Sequence, residues 1–128
     1  MNDEHEKLIE RYFNCWVEND ISVIADTFSN DIDYVQSDGN AFRGIDQITH
    51  WFKNWFRHGS VLAWPVYSFV HQGNTTVCKW RFDNIFEENQ TSIYGVSWIV
   101  FDSTNRICKL SEYIAESELC YPFDDILL

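Results

Sequence analysis

Five side chains in this sequence have the types and spacing for proton transfer: Tyr34, Gln36, Arg81, Asp83 and Glu112. The run from Thr75 to Phe86 alternates with period two, as a strand does. Cys78, Trp80, Phe82, Asn84 and Phe86 share one face; Val77, Lys79, Arg81 and Asp83 share the other. Arg81 and Asp83 therefore stand side by side. Glu112 falls in phase with Cys108, Leu110 and Ile114. That face is otherwise apolar, so burial is expected, and burial raises a carboxyl pKa. Tyr34 and Gln36 lie on a short strand in phase with Ile32. Two carboxylates whose surroundings push their pKa values apart can work as acid and base, with an arginine orienting both. A single buried carboxylate beside a tyrosine can instead move a proton next to a carbonyl.

Each residue also has a structural reading. Arg81 and Asp83 form an exposed ion pair if Trp80, Phe82 and Phe86 face the core. The reverse holds if those aromatics sit in a subunit interface. Glu112 fits a carboxylate bonded to a helix end or an arginine, and Tyr34 fits a core tyrosine. Trp16, Trp51, Phe52, Trp55 and Phe56 suit the core first and a pocket wall second, and one residue can be both. His71, beside the Gly73-Asn74 turn, is an exposed strand end or a pocket residue. His50 and His58 are eight residues apart, a spacing that makes no metal pair, and Cys78 reads as a buried thiol.

The elements that must position these groups are legible in outline. Leu8, Ile9, Tyr12, Phe13, Trp16 and Val17 form an apolar stripe on a helix from residue 3 to about 18, with Asp3 and Glu6 as a capping pair. A short second helix carries Ile21, Ile24 and Phe28. Ser29-Asn-Asp31 reads as a turn and 32–37 as a short strand. A third helix starts at Gly44, buries Ile45, Ile48, Trp51, Phe52, Trp55 and Phe56, and is stopped by Gly59. Strands follow at 61–72, with Pro65 marking an edge or bulge, then at 75–87, 91–101 and 106–116. A tail, 118–128, ends the chain. Helices first and strands last indicate an α+β domain, three helices packed on a strongly curved, mostly antiparallel sheet.

Composition narrows the partners. The 128 residues make a single domain with 17 % aromatics and a net charge of −11. That charge repels nucleic acid and anionic membrane surfaces. No run approaches the ~20 apolar residues of a membrane span. The acidic start lacks a signal-peptide core, and the four scattered cysteines suit a reducing cytoplasm.

Phe42-Arg-Gly-Ile-Asp-Gln-Ile48 and Tyr94-Gly-Val-Ser-Trp-Ile-Val-Phe-Asp102, followed by Ile107, Leu110, Glu112 and Tyr113, resemble the nuclear-transport-factor-two-like superfamily. It includes SnoaL-like cyclases, ketosteroid isomerase and limonene epoxide hydrolase. The resemblance covers about residues 5–117. It implies a cone enclosing an apolar pocket, a small apolar ligand, and a homodimer through the outer faces of the sheets. Tyr34-Val-Gln36, Arg81-Phe-Asp83 and Glu112-Tyr113 resemble the site pattern of the epoxide hydrolase, with Gln and Glu each one methylene longer than its Asn and Asp. In that likeness Glu112 is the base, Tyr34 and Gln36 hold water, Asp83 is the acid and Arg81 bridges the carboxylates. Trp16, Phe52, Trp55 and His71 would contact the ligand, and no metal or cofactor is called for. Three readings stay open: an acid/base enzyme of the hydrolase, isomerase or cyclase type; a binding domain without turnover; and a dimerisation module.

Overall fold

The computed structural model describes residues 2–115 and 120–127. Helix α1 (Asn2–Glu18) buries His5, Ile9, Tyr12, Phe13 and Trp16. These recur at the four- and three-residue steps of one helical stripe. The helix already includes Asn2, so Asp3 lies in its first turn rather than at a cap, where a carboxylate still favours the helix dipole. Glu6 is engaged elsewhere, bonded through Oε2 to His71 Nε2 at 2.6 Å. Asn19 ends the helix in the left-handed region (φ 54°), and Asp20 accepts bonds from the backbone and hydroxyl of Ser22 at the start of α2 (Ser22–Thr27).

The turn expected at Ser29–Asp31 is part of a strand. β1 spans Phe28–Gln36 and is irregular between Phe28 and Asp33. Phe28 is fully buried and pairs with Ile107. Burying one Phe side chain is worth ~1.5–3 kcal/mol, which outweighs the turn preference of the polar residues after it. β2 (Ala41–Arg43) pairs antiparallel with β1 and leads into α3 (Gly44–Trp55). Gly59 does not cap α3; it opens β3 (Gly59–Ala63), where a Cβ would lie 2.6 Å from the Ile85 carbonyl oxygen.

The strand expected over 61–72 breaks at Trp64-Pro65 into β3 and β4 (Val66–Gln72). Both pair with the long β5 (Thr75–Phe86), at its two ends. Pro65 cannot donate to a ladder, and its carbonyl instead accepts from Arg81 N–H at 3.1 Å. β6 (Asn89–Phe101) and β7 (Ile107–Ala115) complete one seven-stranded sheet of order β2-β1-β7-β6-β5-β3, with β4 also on β5. Among the described residues only the β1–β7 pair is parallel. The fold is therefore the expected α+β arrangement, with helices on a curved, mostly antiparallel sheet. α4 (Asp124–Leu127) and its approach leave Tyr121, Phe123, Ile126 and Leu127 exposed. Residues 116–119, where the last strand was expected to end and the tail to begin, lie outside the described residues. Among the described residues no helix is long and apolar enough to cross a membrane.

The sheet's inner face can be followed by register. Gln36 pairs with Glu112, Glu112 with Ser97 and Ser97 with Cys78; one step along, Ile114 pairs with Gly95 and Gly95 with Trp80. Gly95 makes room for an indole. A Cβ there would meet the Trp80 ring at 2.5 Å and the Tyr113 carbonyl at 2.8 Å. Trp80 is fixed by its Nε1–H, which donates to Ser97 Oγ at 2.9 Å. Gly95→Ala is accordingly expected to destabilise the fold by about 1–3 kcal/mol, read from urea midpoints, because ring and sheet backbone cannot both stay in place.

Candidate functional site

Glu112 sits in the middle of the inner face and is 5 % exposed. Its Oε2 accepts a 2.6 Å bond from the Tyr34 hydroxyl, and its Oε1 a long 3.5 Å bond from Gln36 Nε2. Tyr34 in turn accepts from the Tyr12 hydroxyl at 2.9 Å. Three elements thus meet at one carboxyl: β7 supplies Glu112, β1 supplies Tyr34 and Gln36, and α1 supplies Tyr12. The parallel register that sets Gln36 beside Glu112 is what gathers them.

The electrostatics follow from burial. Desolvation pushes the Glu112 carboxyl up to about 7; the Tyr34 and Gln36 bonds pull the other way, and Asp38 adds a small upward push. Burial, reinforced by the Glu112 charge, holds both Tyr12 and Tyr34 well above the usual tyrosine range, so both are neutral donors. Burial likewise pushes Cys15 and Cys78 up to about 12, which removes them as thiolate nucleophiles near neutral pH.

A cavity of about 210 Å³ opens onto this carboxyl. Trp16, Trp51, Trp55, Trp64 and Trp80 line it, with Phe82, Ile93 and Ile114; Glu112 and Gln36 are its polar members. It is smaller than the ~300–1,000 Å³ common for drug-sized ligands, and its lining is mostly apolar.

Of the residues singled out in the sequence, Glu112, Tyr34 and Gln36 converge, and Trp16 and Trp55 stand in the wall. Phe52 is 1 % exposed and packs on Trp16 and Phe56 behind that wall. His71 lies at the far end of β4, bonded to Glu6 and Thr76 rather than to the cavity. Arg81 and Asp83 do not join the cluster. Trp80 and Phe82 line the cavity, so alternation turns Arg81 and Asp83 to the outer face. There the Arg81 Nε–H donates to both Asp83 oxygens at 2.9 and 3.0 Å, Arg81 Nη1 donates to the Tyr67 hydroxyl, and Ser92 donates to Asp83. The scheme in which Asp83 gives a proton and Arg81 bridges to Glu112 has no shared space in which to operate. Trp51, read as core and pocket wall, also stands in the lining, whereas Tyr12, Trp64 and Trp80 were not singled out for the site. Tyr12 could have been found from its place on the α1 stripe, since a buried hydroxyl needs a partner.

Among the described residues no group of three or more His, Cys, Asp or Glu side chains is placed to hold a metal.

Tyr34→Phe tests the hydrogen-bond pair. A bond to a charged group is worth ~1.5–3 kcal/mol, so its loss should raise the Glu112 midpoint above 7 by about one pH unit or more. Carbon-13 NMR titration of the labelled glutamate carboxyl reads this directly; an unmoved midpoint would mean that the bond does not hold the charged form.

N-terminal helices packed on a curled, mostly antiparallel sheet are the cone-shaped fold of the nuclear-transport-factor-two-like proteins. Within that class, the SnoaL-like domain profile matches residues 9–110, and the chain belongs to that family. Solved structures agree at the level of fold. An LEH-like epoxide hydrolase from M. tuberculosis superposes with a TM-score of 0.78 at 12 % identity, over 88 % of this chain and 84 % of that one. A protein with a ketosteroid isomerase-like fold from Catenulispora acidiphila, in complex with trimethylamine, gives 0.74 at 13 % identity, over 83 % of each chain. A proposed SnoaL-like polyketide cyclase from Shewanella denitrificans gives 0.74 at 14 % identity, over 87 % and 90 %. No curated protein matches the sequence.

Proposed function

We propose that this protein is a proton-transfer enzyme of the isomerase or cyclase type acting on a small, apolar carbonyl compound. The observation that carries the reading is Glu112: a carboxyl at the floor of a tryptophan-walled cavity, tuned to about 7 and bonded by neutral donors alone. A base poised near the working pH suits carbon-acid chemistry. The C–H bond next to the carbonyl gives its proton to Glu112, and its electron pair moves to the carbonyl oxygen as an enolate. Gln36, the other polar side chain of the lining, supplies an Nε2–H donor for that oxygen. Where a C=C is conjugated with the enolate, return of the proton from Glu112 to the far carbon completes an isomerisation; attack of the enolate carbon on a second carbonyl of the same molecule makes a ring, and the resulting alkoxide takes the proton back from Glu112. Epoxide opening is less well served, because it asks for a second proton donor inside the cavity, and Asp83 faces outward.

The test is hydrogen–deuterium exchange. Acetophenone-type and small cyclic ketones are incubated with the protein in deuterium oxide, and loss of the proton signals next to the carbonyl is followed by NMR. Exchange faster than buffer, rising with pH to a plateau above about 7, supports the base. Binding without exchange supports the second reading, a ligand carrier, which the sparsely polar lining also suits.

A homodimer is part of the same proposal. The outer sheet face exposes Tyr67, Tyr94, Trp98 and Tyr113 together, with Trp98 51 % and Tyr113 59 % exposed. Apolar clusters of this kind mark association surfaces. Light scattering should give twice 15.2 kDa, and Trp98→Asp should give the monomer. A monomeric wild type at tens of micromolar would end the proposal.

A further inference from the structure

We infer that the ligand is not wholly apolar: it carries a neutral, hydroxyl-bearing extension, sugar-like in its chemistry, that lies in a vestibule at the β5–β6 end of the cone. The inference rests on the proposed reading of the Glu112 cavity and extends it outward.

A second hollow, of about 810 Å³, shares Trp55, Phe82 and Ile93 with the Glu112 cavity, so the two adjoin at those side chains. The lining changes character across that junction. The inner cavity is walled by indoles, whereas the outer one adds Asn84, Asn89, Gln90 and Thr91. These amide and hydroxyl groups both donate and accept, which matches hydroxyls. Asn84 is 3 % exposed and its Nδ2 donates to Thr91 Oγ1 at 3.1 Å, which fixes the orientation of both groups. Trp55 meets Phe82 edge-on and tilts against Phe86, supplying aromatic surface for the C–H faces of a sugar ring.

Charge disfavours an anionic extension. Among the described residues, none that lines the vestibule is Asp, Glu, Lys, Arg or His. An anionic tail such as a sulfate or phosphate would find no cation there, and would face Glu87 and Glu88 in the adjoining turn and a chain of net charge −11. A cationic tail would meet Glu87 and Glu88 only in that exposed turn, with no carboxylate in the lining itself, and the ammonium arm of the experiment separates it from the hydroxyl-bearing one.

The experiment compares one head group with different tails. 4-Hydroxyacetophenone, its β-glucoside, its sulfate ester, its butyl ether and its trimethylammonioethyl ether are titrated against the full chain by calorimetry, for wild type and for the Asn89→Ala/Gln90→Ala double variant. Both variant positions are exposed, so folding is not at stake. The glucoside should bind at least five-fold tighter than the parent phenol, and the sulfate more weakly than it. The double variant should lose most of the glucoside gain and keep the parent's affinity. Equal affinity for parent and glucoside, a sulfate, butyl or ammonium tail that matches the glucoside, or a gain that survives the double variant would each overturn the vestibule. Proton exchange on the parent ketone is measured in parallel. Exchange without a glucoside gain defeats the vestibule alone; a glucoside gain without exchange defeats the base alone; no binding of any head group defeats both.

Discussion

Glu112→Gln should reduce proton exchange by at least ~100-fold, the lower end of what a positioned general base contributes. The same variant should be more stable than wild type at pH 8. Glu112 has a folded-state pKa of about 7 against an ordinary 4.5, because burial disfavours its charge. A raised carboxyl value means that the folded protein binds the proton more tightly than the unfolded chain does. The stabilising contribution is complete below about pH 4.5 and is lost as pH rises through 7. A gap of that size corresponds to about 3 kcal/mol. Glutamine cannot ionise and still accepts the Tyr34 bond. The variant should therefore exceed wild type by up to about 3 kcal/mol at pH 8, with the difference shrinking toward pH 5. Urea midpoints at the two pH values, alongside exchange rates, separate the outcomes. A variant that exchanges protons like wild type would remove Glu112 from the chemistry; a stability gap independent of pH would mean that the carboxyl is not tuned by burial.

The second large effect is structural. Trp16 is 2 % exposed and touches Trp51, Phe52, Trp55 and Phe56, joining α1 to α3 while forming part of the cavity wall. Trp16→Ala should cost about 3–5 kcal/mol, since the rigid rings around it cannot collapse into the space. The denaturant slope should stay unchanged if the native and unfolded states keep their exposed areas. Trp16→Phe should recover much of the loss. A loss below about 1 kcal/mol in the alanine variant would show that the aromatic cluster repacks freely, and that the cavity is not a fixed shape.

Much of this protein was legible before any coordinates. The helical stripe of α1, the aromatic side of α3 and the period-two runs of β5 to β7 specify an α+β chain, because each records which neighbours in sequence share a face. Glu112 was legible for the same reason: its phase with Leu110 and Ile114 marks it as a carboxyl on an apolar face. Local pattern misjudged Phe28–Asp31 and read 61–72 as one strand with an edge or bulge at Pro65, since burial of Phe28 against Ile107 and the pairing of β3 and β4 with opposite ends of β5 are decided by distant partners.

Alternation could say that Arg81 and Asp83 stand together, but not which way they look. A strand has two faces related by a half-turn, and nothing within it records which one α1 and α3 will cover. Only the tertiary structure decided that Trp80 and Phe82 turn inward and the ion pair outward. It also joined Tyr12, Tyr34, Gln36 and Glu112, residues separated by up to 100 positions, because a parallel β1–β7 pair and a helix packed across it bring their side chains to one point.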